Sequence, residues 1–157
     1  MVNKLIDLCM QTLELEGIPE QVNRIKEHVR LFRPIPLMIF SEGERLVIQT
    51  FRNFYDISVV NPESGLAVVQ AKQGDYFARP TKTQVKGATL GPEAEGGDYV
   101  VLSRCIVMRM GMVFPFPFRA EEDRNFGTSM VTGITAYDKQ DIEIDIVARR
   151  DNYLRGN

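Results

Sequence analysis

The chain has 157 residues, 44% of them hydrophobic and 25% charged, and its acidic and basic side chains nearly balance at a net charge of −2. That length suits one domain burying about two thirds of its unfolded surface, and the composition excludes disorder as the main state. The mixed charge supplies no overall pull toward nucleic acid or an anionic membrane, and the apolar runs fall far short of the ~20 residues a membrane helix needs.

In chain order, residues 3–16 read as a helix, with Asn3 as its N-cap and Leu5, Leu8, Cys9 and Leu13 at helical spacing. The first residues lack the basic, apolar and small-residue regions of a signal peptide, so cytoplasmic synthesis is expected, or assembly into a particle made there. Gly17 is the expected stop, since glycine takes the left-handed conformation at little steric cost. Pro19 suits the first turn of a second helix, where a missing N–H is harmless. Val22, Ile25, Val29 and Phe32 then share one face, and Pro34 with Pro36 ends the helix. An N-terminal αα-hairpin over residues 3–33 is therefore predicted.

From residue 37 the pattern changes to short strands between turns. Strands are predicted over 37–40, 45–51, 55–60, 66–71 and 76–79, the 61–65 turn being marked by Asn61, Pro62 and Gly65. Residues 80–97, with Gly87, Gly91, Gly96 and Gly97 beside Pro80 and Pro92, read as a long loop, the adaptable element of the chain. A β-prone stretch over 99–113 is bent at Gly111, and strands over 128–137 and 142–148 form a hairpin around 138–141. Residues 149–157 read as a polar tail. The Gly-Asp-Tyr tripeptide occurs at 74–76 and 97–99, each time opening a predicted strand. The predicted whole is one α+β, mainly β domain over 1–157: an antiparallel sandwich or barrel-like sheet over 37–148 with the hairpin packed on it.

Catalysis needs groups that move protons, attack or hold a metal, and the sequence is poor in them. His28 is the only histidine, beside Glu27 on the second helix, and reads as a surface residue. Cys9 and Cys105 sit in apolar settings far apart and read as reduced core residues in a reducing compartment. No phosphate loop or nucleophile elbow is present, and no cofactor is expected. Asp141, Glu143 and Asp145 alternate with Ile142, Ile144 and Ile146; on a strand the acids share one face, each about 7 Å from the next. That makes them a weak candidate for a divalent metal, against a plain half-buried strand.

Arg24, Lys26, Arg30 and Arg33 make the second helix basic and are the candidate nucleic-acid contact, weighed against an ordinary solvated face. The segment from Met108 to Phe118 carries Met110 and Met112, then Phe114, Phe116 and Phe118 alternating with Pro115 and Pro117. The prolines confine it to an edge or an extended arm, and its large apolar side chains either cover the domain's own core or contact a neighbouring subunit or apolar ligand.

These observations point to a non-enzymatic structural protein that binds copies of itself and other protein subunits, in the manner of a virion or tail-assembly component. The expected interface residues are Phe114, Phe116, Phe118, Met110 and Met112. A nucleic-acid module and a carrier of a small apolar ligand are the alternatives. If the arm is the interface, Phe116→Asp dissociates the assembly on light scattering with circular dichroism unchanged; loss of the fold itself would place Phe116 in the core.

Overall fold

The structure is a computed structural model that describes residues 19–91, 100–115 and 125–156. The predicted 3–16 helix lies outside those residues, so one helix of the proposed hairpin is described. That helix, α1, spans Pro19–Leu31. Ile25 and Val29 are buried at its inner stripe, as their spacing requires, and the backbone turns away ahead of Pro34 into the short strand β1, Ile35–Pro36. The residues predicted as the first strand form instead a 3₁₀ turn, Leu37–Ile39, in which the Phe40 amide returns to the Leu37 carbonyl.

The β region is antiparallel throughout. Strands β2 (Arg45–Thr50), β3 (Phe54–Asn61), β4 (Leu66–Ala71), β5 (Thr81–Gln84) and β11 (Val131–Tyr137) form a five-stranded sheet in the order β11-β2-β3-β4-β5. Strands β6 (Gly87–Thr89), β7 (Leu102–Ser103), β9 (Gly111–Pro115) and β10 (Asn125–Gly127) form a four-stranded sheet in the order β10-β9-β6-β7. The remaining strand, β8 (Cys105–Ile106), pairs with β1.

Alternation decides which face of each strand is buried. Leu46 and Ile48 of β2, Tyr55, Ile57 and Val59 of β3, and Ala67 and Val69 of β4 point into one apolar cluster with Met112 and Phe114 of β9. Phe77 and Tyr55 stack against Phe114, with ring centroids 5.0 and 6.2 Å away. A second cluster joins α1 through Ile25 and Val29 to Ala88, Leu102, Cys105, Val107 and Met110. Helix α1 thus covers the β6–β8 region on the side away from the five-stranded sheet.

Four further sequence expectations change. Residues 76–79 form a turn, with Phe77 at φ 60°, and the strand comes later, as β5. The predicted loop 80–97 holds β5 and β6 in its described part; a Cβ on Gly87 would lie 2.1 Å from the Leu102 carbonyl oxygen, so that glycine permits close strand pairing. The 99–113 stretch is broken by turns at Arg104 and Arg109, both at positive φ. Finally, the chain end is no polar tail: residues Ile146–Gly156 form a helix, α2, which buries Leu154 in the cluster beneath α1. Asp145 starts it by accepting the Ala148 amide at 3.0 Å. Arg149 pairs with the buried Glu44, and Arg150 donates to the Arg33 carbonyl, tying α2 to the β1 region. Among the described residues no helix is long and apolar enough to cross a membrane.

Burial pushes the Tyr55 phenol above its ordinary value of 10.0, a hydrogen bond with the Asn53 side chain pulling the other way. A raised folded-state value keeps its stabilisation whole below the unfolded value and loses it as pH rises through the folded one. Unfolding free energy should therefore fall above about pH 10, and Tyr55→Phe should flatten that alkaline loss in urea titrations at pH 8 and 11. An equal loss in the variant would assign the pH dependence to other groups.

Candidate functional site

The ribbon of β2 and β11 sets two ends of the molecule apart. Arg45 is opposite Tyr137 at one end and Thr50 is opposite Val131 at the other. Five residue steps of strand separate them, about 17 Å.

At the Thr50 end, a compact polar knot holds the β2–β3 connection. Thr50 Oγ1 donates to the Asn53 carbonyl at 3.1 Å and accepts the Asn53 amide at 3.0 Å. Ser129 Oγ donates to Thr50 Oγ1 at 2.9 Å and accepts the Arg52 amide at 3.0 Å. The Phe51 amide donates to the Met130 carbonyl, which sets these two residues side by side. Since Leu46, Ile48 and Thr50 point inward, Phe51 must point out; it is 74% exposed, with Met130 at 44% and Phe54 at 41%. The Lys72 ammonium sits 5.3 Å from the Phe54 ring centroid. Exposed Arg109, whose amide donates to the Val131 carbonyl, completes a basic rim with Arg52 and Lys72.

At the other end, Asp138 organises the turn after β11 by accepting the Gln140 and Ile142 amides at 2.8 and 3.0 Å. Residues 142–144 run back along β11, the Ile144 amide donating to the Ala136 carbonyl. Arg45 bridges Asp56 and Asp141, each at 3.2 Å, and lies over the Tyr137 ring. The hydrogen bond to Asp141 is the chief reason its guanidinium is held above its ordinary value, burial working against it. Ile142 and Val147 project outward at 59% and 56% exposure, beside a shallow groove lined by Ile134, Ile144, Ile146, Glu143 and Asp145.

The sequence-predicted sites are dispersed by the fold. Met110, Met112 and Phe114 are at most 1% exposed, so they are core residues and no interface anchors: Met112 and Phe114 lie in the cluster of the five-stranded sheet and Met110 in that of α1. Phe116 and Phe118 lie outside the described residues. Arg24, Lys26 and Arg30 are exposed on α1, with Arg33 exposed just beyond it; at about 100° per residue Arg24 and Lys26 point in different directions, so no single basic face gathers all four. His28 is half-buried, its Nε2 2.9 Å from the Met108 carbonyl oxygen and its ring packed on Phe32, a structural contact in place of the expected surface position. Cys105 is buried as expected, and Cys9 lies outside the described residues. Asp141, Glu143 and Asp145 do not share a strand face, because the chain leaves the sheet after residue 144 to enter α2, and Asp145 serves as the helix cap. Among the described residues no group of three or more histidine, cysteine, aspartate or glutamate side chains is placed to hold a metal ion.

The exposed cluster of Phe51, Phe54 and Met130 has no motif to mark it in the sequence, although strand alternation already turns Phe51 away from Leu46 and Ile48. No family model matches this chain, and no curated protein or solved structure matches it either.

If Phe114 is core, Phe114→Ala should lower unfolding free energy by about 3–5 kcal/mol in urea titration, whatever the protein concentration. A loss that depends on concentration would return Phe114 to an interface between chains.

Proposed function

We propose that this protein is a non-enzymatic assembly component that works by binding copies of itself and other protein subunits, the class to which virion and tail-assembly parts belong. The observation that supports this reading is the cluster of Phe51, Phe54 and Met130 held outward at one end of the five-stranded sheet. Single exposed apolar residues are ordinary, whereas a phenylalanine three-quarters exposed, held beside the exposed Met130 by a backbone hydrogen bond and followed three residues on by the exposed Phe54, is a surface made for contact. Covering one such phenylalanine is worth about 1.5–3 kcal/mol of transfer free energy before the costs of association.

The polar knot of Thr50, Asn53 and Ser129 gives the cluster its value. A side chain already ordered by its backbone loses little further freedom when a partner covers it. Phe51→Asp should lower the solution mass at a given protein concentration, with far-UV circular dichroism and the urea midpoint unchanged. A wild-type protein that stays monomeric by light scattering up to high concentration would contradict self-association directly.

A further inference from the structure

The apolar-basic end is matched by a second exposed surface of opposite character. Ile142, in the turn at the far end of the β2–β11 ribbon, and Val147, in the first turn of α2 beside Ile134 and Thr135 on the β11 edge, project outward among the exposed acids Asp141, Glu143 and Asp145. Of the nearby cations, Arg45 is held by Asp56 and Asp141 and Arg149 by Glu44, while Lys139 is exposed with its methylenes close to Gly43; Glu143 and Asp145 carry the remaining acidic charge. Among the described residues, the exposed cations at the basic end are Arg52, Lys72 and Arg109, with Asp75 an exposed acid on the neighbouring turn.

We infer that the protein associates head to tail, the Phe51, Phe54 and Met130 surface of one copy docking on the Ile142 and Val147 surface of the next. This rests on the self-association proposed above and specifies its geometry. Each surface pairs apolar side chains with an excess of one sign of charge, basic despite Asp75 at the first and acidic despite Arg45 and Lys139 at the second. The excesses are opposite, so like ends repel and unlike ends attract. A symmetric dimer made by either end alone would set like charges against each other. Because the two surfaces are different patches of the same chain, the contact is heterologous, and its repetition gives a ring if the rotation closes and a filament if it does not.

The test uses the full chain in two variants: Phe51→Ser with Met130→Ser removes the head, and Ile142→Ser with Val147→Ser removes the tail. All four side chains are exposed, so both variants should keep the wild-type circular dichroism. In sedimentation velocity each variant alone should be monomeric, while their equimolar mixture should form a dimer and stop there, since each copy retains one working surface. Independently, Lys72→Glu and Glu143→Lys should each weaken wild-type association at least tenfold at low salt, with the difference from wild type shrinking as salt screens the charges. Association that survives in either serine variant alone would overturn the head-to-tail arrangement while leaving self-association standing. A mixture that remains monomeric would overturn the arrangement in the same way. A wild-type chain that is monomeric throughout would overturn both.

Discussion

β9 carries the most apolar part of the chain, and the fold is arranged so that water never reaches it. Met110 and Gly111 lead into Met112, Val113 and Phe114, all fully buried or nearly so. Met112 and Phe114 of β9 enter the cluster of the five-stranded sheet, Met110 in the turn just before the strand enters that of α1, and Val113, on the opposite face of β9 from Met112 and Phe114, is fully buried as well. The backbone groups of β9 must also be paired, and β6 and β10 do this on its two edges. The Gly111 backbone is forced by the same packing, since a Cβ there would come within 2.5 Å of the Thr128 carbonyl oxygen.

Enclosing β9 fixes what is left outside. Both sheets spend their inner faces on Phe114, Phe77, Tyr55 and the aliphatic residues around them, and α1 and α2 close the opposite side through Ile25, Val29 and Leu154. The outward positions of β2 and β3, and the turns at either end of the β2–β11 ribbon, receive the residues that the alternation turns away. At one end those are Phe51 and Met130, while Ile142 is turned out by the Asp138 turn and Val147 by the start of α2.

The strand period also explains how much of the fold was legible in the sequence. β4 was readable to the residue, because Leu66–Ala71 is a short apolar run bounded by the Asn61–Gly65 turn and the turn around Gly74. The face of α1 was readable because Ile25 and Val29 repeat at helical spacing. Ile142, Ile144 and Ile146 misled for a physical reason: alternation of apolar and acidic residues fits a strand, but Asp145 is also a good helix cap, and docking of Arg149 on Glu44 with burial of Leu154 favours the helix. Met110, Met112 and Phe114 misled in another way: Pro115 marks an edge, yet strand edges can be enclosed by tertiary packing, and sequence periodicity is blind to what lies on the far side of a strand. β6 was missed because Gly87–Thr89 has no large side chain to announce it; it exists because Gly87 lets β7 come close.

The most direct test of the account is hydroxyl-radical footprinting of the wild-type protein at low and high concentration, read by mass spectrometry at single residues. In dilute solution Phe51, Met130 and Leu31, the last 80% exposed on α1, should all be oxidised readily. At high concentration, protection should appear at Phe51, Met130, Ile142 and Val147 together, and Leu31 should stay reactive. Protection centred on Leu31 and α1, or none at any concentration, would contradict the claim that the ends of the β2–β11 ribbon are where this protein makes its contacts.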